Sequence, residues 1–145
     1  MMLKFTFVGG LLLSSALCAA ASPVAYVKNV SGDASVTTGG LVVKAEVGTA
    51  IMQGSVLKTG AKSSMGLTFK DETMMSFGPD TQLTVDEFLY VPAQGKLSLV
   101  SMLARGTMNY VSGAIAKMQP DAVSIKTPAG IIGVRGTQFV VKVEE

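Results

Sequence analysis

Histidine and tryptophan are absent from the 145 residues, and cysteine occurs once, at Cys18. Without histidine the chain cannot build a Ser-His-Asp or Cys-His nucleophile system. With no histidine and a single cysteine, the nitrogen and sulfur ligands of a zinc centre are missing too. Charge is also sparse, with twelve basic against ten acidic residues and a net charge of +2. No two basic residues are adjacent, so no basic stripe of the kind that binds nucleic acid is visible in the sequence. The near-neutral balance predicts neither a polyanion nor an anionic membrane as partner. Carboxylate chemistry, a Ser-Lys pair and hard-metal binding survive these exclusions.

The N-terminal segment has the pattern of a secretory signal peptide over residues 1–21. Lys4 is a short positive n-region, residues 5–17 are uncharged and mostly apolar, and Ala19-Ala20-Ala21 fits the small-residue cleavage rule. The apolar run is shorter than the roughly 20 residues needed to span a bilayer, so it reads as a removed segment and not as an anchor. Ser15 and Leu17 occupy the positions where a lipoprotein signal wants leucine and a small residue, so Cys18 is expected to leave with the leader. The mature chain, residues 22–145, then lacks cysteine and carries a charge of +1 from eleven basic and ten acidic residues. Its length fits one domain whose core must suffice without disulfides.

What remains alternates with a period of two. Ala34 and Val36 share a face, as do Met65, Leu67 and Phe69, then Met75 with Phe77, Leu83 with Val85, Leu97 with Leu99, Val123 with Ile125, and Phe139 with Val141 and Val143. Successive side chains on a strand point to opposite faces, so each set can bury one face against a core. Gly39-Gly40 between two such runs predicts a tight hairpin. Gly60-Ala61, Asp71-Glu72, Gly78-Pro79-Asp80, Pro92-Ala93-Gln94-Gly95 and Thr127-Pro128-Ala129-Gly130 are further turns. Residues 97–103 fit a strand with a slip or a short helical turn, and residues 111–118 are open in the same way. The fold class expected is all-β: one domain of short antiparallel strands, as a sandwich, a roll or short solenoid-like stacking.

Several motifs could carry chemistry. Ser55-Val56-Leu57-Lys58 matches S-x-x-K and Lys58-Thr59-Gly60 matches K-T-G, two signatures of serine acyl-enzymes. Here they share one lysine, and alternation places Ser55 and Lys58 on opposite faces of a strand, so the plain strand reading is preferred. The acidic pairs Asp71-Glu72 and Asp86-Glu87 lack calcium-loop spacing, and neighbours on a strand point apart. They read as a turn and a solvated strand end. Asn29-Val30-Ser31 is a glycosylation sequon only in a eukaryotic secretory pathway. The seven methionines after residue 21 read as core filling.

Leu57-Lys58-Thr59-Gly60, Leu67-Thr68-Phe69-Lys70-Asp71, Phe77-Gly78-Pro79-Asp80-Thr81, Leu97-Ser98-Leu99, Arg105-Gly106-Thr107 and the closing Thr127-Pro128-Ala129-Gly130-Ile131-Ile132-Gly133-Val134-Arg135-Gly136-Thr137-Gln138-Phe139 together resemble the FecR domain family, over about residues 27–143. The family's usual Asp-Gly turn is Asp71-Glu72 here. Family members that regulate iron uptake resemble anti-sigma factors with a cytoplasmic helical domain and a membrane helix ahead of this domain. Here a signal peptide stands in that place, so an anti-sigma role for this chain alone is not expected. The resemblance implies an exported all-β module that engages other proteins.

Its motif positions Thr127, Pro128, Gly133, Arg135, Gly136, Thr137 and Phe139 are the candidate interaction residues. Arg135 reads either as a guanidinium offered to a partner carboxylate or, preferred, as a brace for the turn before the last strand. The function expected is a non-enzymatic, periplasmic or extracellular FecR-like protein that docks an envelope protein in sensing, signalling or assembly. It would need no metal or cofactor, carry no membrane anchor once mature and bind no nucleic acid. The alternative is a module for peptidoglycan or another envelope glycan, although few aromatics are present to stack on sugars. An acid/base hydrolase would need two distant carboxylates to meet in a cleft.

Overall fold

The computed structural model describes residues 22–134 and 136–144. The expected signal peptide, Cys18 and Arg135 lie outside the described residues. Among the described residues no helix is long and apolar enough to cross a membrane.

The elements in chain order are β1 (Ala25–Ser31), β2 (Ala34–Thr38), β3 (Leu41–Lys44), β4 (Ala50–Ile51), β5 (Val56–Thr59), β6 (Ser64–Phe69), β7 (Met74–Phe77), β8 (Gln82–Val91), β9 (Lys96–Val111), α1 (Ala114–Met118), β10 (Val123–Thr127), β11 (Gly130–Gly133) and β12 (Gln138–Val143). The all-β expectation holds. The strands form one sheet bent across a seam into two wings. The first wing runs β4-β1-β6-β7-β9-β12. The second runs β3-β2-β5-β8-β9-β10-β11. All pairs are antiparallel except β9 with β10.

Four of the passages between the wings lie side by side at the seam: β1 into β2, β5 into β6, β7 into β8, and β9 without interruption. The architecture is therefore a roll of four folded strands, and not the solenoid-like stacking. Strand β9 shows how the fold turns there. Leu99, Ser101 and Leu103 face the core in its first half, Met108 and Tyr110 in its second. The period-two pattern shifts by one residue between them, around Gly106 at φ +94°. A Cβ at Gly106 would lie 2.5 Å from Thr81 Cα, so glycine is required both for the backbone angle and for the close approach.

The wings close on a shared core. Met65, Leu67, Phe69, Met75, Phe77, Met108 and Tyr110 come from one, Val36, Leu57, Leu83, Val85, Leu99, Leu103 and Ile125 from the other. Phe69 stacks on Phe88 across the interior with centroids 5.4 Å apart. These are the faces that alternation picked out, because one buried face requires every second residue to be apolar. Of the methionines, Met65, Met75 and Met108 fill the core as expected, while Met74 and Met118 are exposed.

The two open segments resolve differently. Residues 97–103 are strand throughout, and Val100 and Met102 sit half-buried on the outer face. Residues 111–118 end β9 and then form α1, with Ile115 and Ala116 buried. The Gly39-Gly40 hairpin forms as expected, with Thr38 opposite Leu41. The sequence pattern does not mark β1, β4 or β11 as strands.

Candidate functional site

Three of the motifs that carry the family resemblance converge at the seam. Thr59 Oγ1 donates to the carbonyl of Gly78 at 2.6 Å and accepts the Thr81 N–H at 3.0 Å. Thr81 Oγ1 accepts the Thr107 N–H at 3.1 Å and donates to Gly78 O at 2.9 Å. Backbone bonds lock the same corner, Thr59 N–H to Thr81 O at 2.9 Å and Gly78 N–H to Thr107 O at 3.0 Å. The hydroxyls of Thr59 and Thr81 thus satisfy backbone groups that the bend removes from the ladder, those of Thr107 among them. The K-T-G, G-P-D-T and R-G-T segments are one structural joint.

A second joint holds α1, the one α-helix among the described residues, in place. Asp71 is 1% exposed, so the expectation of an ordinary charged turn is corrected. Its carboxylate accepts the Thr73 N–H at 3.1 Å, the Thr73 hydroxyl at 2.7 Å and the Ile115 N–H at 3.1 Å. Its carbonyl accepts the Ala114 N–H at 2.7 Å. Gly113, the residue before α1, supplies no side-chain cap. Asp71 therefore caps the helix from a distant turn. Glu72 takes the positive-φ position at +70°, where the family's usual glycine would sit. An Asp-x-Thr triplet inside a turn was the available signal for this buried acid.

The candidate residues of the closing segment spread along the passage from the second wing to the first. Thr127 Oγ1 closes the β10–β11 turn by donating to Gly130 O at 2.9 Å, with Pro128 exposed on that turn. Gly133 ends β11. Gly136 O and Thr137 O accept the Ser112 hydroxyl at 3.1 Å and the Ser112 N–H at 2.8 Å. Phe139 stacks on Tyr110 at 4.8 Å. Gly136, Thr137 and Phe139 are thereby gathered on the end of β9, whereas Thr127 and Pro128 lie at the far end of β10. There the turn and Val141, Lys142, Val143 and Glu144 border a groove of about 410 Å³. Burial pushes the Tyr110 phenol above its ordinary value; the Ser112 hydroxyl opposes this, and the Asp71 carboxylate adds to it.

The chemical motifs separate as alternation demands. Ser55 is buried, its Oγ bonded to Thr38 Oγ1 at 2.6 Å and to the Met52 N–H at 3.0 Å, while Lys58 is exposed. Asp86 and Glu87 do not point apart: a bulge in β8 at this point leaves both exposed, and Asp86 pairs with Lys126 at 3.6 Å. Among the described residues no cluster of three or more Asp, Glu, Cys or His is placed to hold a metal.

Register also assembles what composition hid. Lys44 lies opposite Ser35, Ser35 opposite Lys58, Lys58 opposite Gln82, and Gln82 opposite Arg105. Three cations scattered in sequence stand in one cross-strand row on the outer face of the second wing. Strands are about 4.8 Å apart, so adjacent cations in the row are about 10 Å apart. The row ends at β3, where Leu41, Val42 and Val43 are 69%, 63% and 40% exposed.

A family model described as FecR protein matches residues 55–145, well over half of the chain. The match begins at Ser55, later than the resemblance read from the motifs, so β1 to β4 lie outside it. No curated protein matches the chain. No solved structure matches it either. The joint built by Thr59, Gly78, Thr81, Gly106 and Thr107 lies wholly within the matched residues, and the chain belongs to the FecR family, which is associated with envelope signalling.

Proposed function

We propose that this chain is a non-enzymatic bacterial periplasmic module that docks another envelope protein along a free sheet edge, in sensing, signalling or assembly. The observation that carries the reading is β3. Among the described residues it pairs only with β2, and its Leu41, Val42 and Val43 are exposed. An apolar edge with unpaired backbone groups is a template for an added strand. The far edges of the sheet are of the same kind, with Ile131 on β11 and Val140 on β12 exposed. The secretory pattern of residues 1–21 supports export, and family membership supports the envelope. Phe69, Phe77, Phe88 and Tyr110 are buried, which leaves few rings for sugar stacking and disfavours the glycan reading.

A photo-crosslinking side chain at position 41, used in intact cells, tests this. A discrete protein adduct that Val42→Pro abolishes is the expected result. Cosedimentation with purified sacculi, undiminished by protein competitors and with no adduct at position 41, would replace docking by glycan binding.

A further inference from the structure

We infer that the segment recognised by β3 is an extended acidic strand of a partner protein, with a carboxylate side chain seated opposite Lys44. This rests on the edge-docking reading and specifies the chemistry of the occupant. The geometry begins with backbone polarity. The Ala45 N–H donates to Ala34 O at 2.9 Å, so Ala45 and Ala34 form a hydrogen-bonded pair. Bonded and non-bonded pairs alternate along an antiparallel ladder. Val42 opposite Thr37 and Lys44 opposite Ser35 are then the non-bonded pairs, and their N–H and C=O groups point away from β2. These are the groups an added strand would bond.

Charge selects the strand. The outer-face row that begins at Lys44 continues through Ser35, Lys58, Gln82 and Arg105 without a carboxylate. Among the described residues neither Lys44 nor Lys58 is ion-paired. Asp33 is the one acid lining the same concavity of about 410 Å³ with Lys44, Lys58 and Arg105. An added strand extends this row by one position, directly beside Lys44. Opposite charges facing each other across strands are favourable and like charges unfavourable. A second copy fits less well. Antiparallel self-pairing of β3 sets Leu41, Val42, Val43 or Lys44 of the second copy opposite Lys44, and none of the four carries a carboxylate. Nothing in the sequence announces the row, because its members are far apart along the chain, and β3 lies outside the residues matched by the family model.

The test uses the purified protein and three short synthetic peptides in which threonine alternates with glutamate, glutamine or lysine, followed by fluorescence anisotropy. The glutamate peptide should bind roughly fivefold more tightly than the glutamine peptide, the gain expected from a favourable cross-strand charge pair, and the lysine peptide least. Lys44→Glu should reverse the order of the charged peptides. Val42→Pro removes an outward N–H without breaking a β2 bond and should abolish binding of all three, with the circular dichroism spectrum unchanged. Equal binding of the glutamate and glutamine peptides, both lost in Val42→Pro, would overturn the acidic assignment and leave edge docking standing. Glutamate-peptide binding that survives Val42→Pro would overturn strand addition itself. Sedimentation showing a dimer that Val42→Pro dissociates would assign the edge to a second copy. Absence of binding by any peptide at millimolar concentration would also overturn the inference, while the crosslink at position 41 reports separately on docking.

Discussion

The carboxylate of Asp71 accepts the backbone N–H of Ile115 at 3.1 Å across a separation of 44 residues. A turn between two strands thereby holds the start of a helix that has no cap of its own. Replacing Asp71 by alanine strands the N–H groups of Thr73 and Ile115 in a buried site. Each such orphan costs about 1–3 kcal/mol, so urea unfolding should show a loss of about 3 kcal/mol. Asp71→Asn keeps one acceptor and should lose about half as much. A loss below about 0.5 kcal/mol for the alanine variant would show that the helix start finds other partners.

Glycine is not equally needed at every position of the family motifs. Gly106→Ala forces a side chain into positive φ and against Thr81 Cα at 2.5 Å. Strain and overpacking together should cost about 3 kcal/mol, read as a lowered melting temperature. At Gly133 an added Cβ meets nothing within 4 Å, and Gly133→Ala should change stability by less than about 0.5 kcal/mol.

Alkaline pH should expose Tyr110. Its phenol is fully buried, makes no hydrogen bond of normal geometry among the described residues, and is raised above the ordinary value of 10.0 by burial. The unfolded phenol ionises near 10.0 while the folded one still holds its proton. Above that pH the unfolded state binds fewer protons, so stability falls as pH rises and is unaffected below it. Tyr110→Phe should remove this part of the alkaline loss and leave stability near neutral pH unchanged. Urea midpoints for both proteins across the alkaline range check the slope.

The last strand depends on one ring. β12 pairs only with β9 among the described residues, and Phe139 packs on Tyr110 at 4.8 Å. Phe139→Ala should cost about 2 kcal/mol, less than a fully buried ring because Phe139 is half-exposed. Amide exchange should quicken selectively at Val141 and Val143. Val140→Ala, on the solvent side with Val140 65% exposed, should be close to neutral.

Strand faces were legible from the sequence because burial on a sheet repeats every second residue. Met65-Leu67-Phe69, Met75-Phe77 and Val123-Ile125 point inward as their spacing said they would. The turns were legible because Gly39-Gly40, Gly78-Pro79-Asp80 and Thr127-Pro128-Ala129-Gly130 can adopt few other conformations. Local pattern could not show which turns meet. Thr59, Thr81 and Thr107 look like three unrelated threonines until the chain crosses its own seam, and Asp71 looks like a surface acid until α1 arrives above it.

Composition determined that histidine-based and zinc chemistry are excluded, that core and turn residues alternate as in an all-β chain, and that positive charge is evenly dispersed along it. Only the tertiary structure decided that Lys44, Lys58 and Arg105 share a row ending at an open edge. Side-chain neighbours in a sheet are set by pairing register between strands, which is a long-range property, whereas face and turn are set within a few residues of chain.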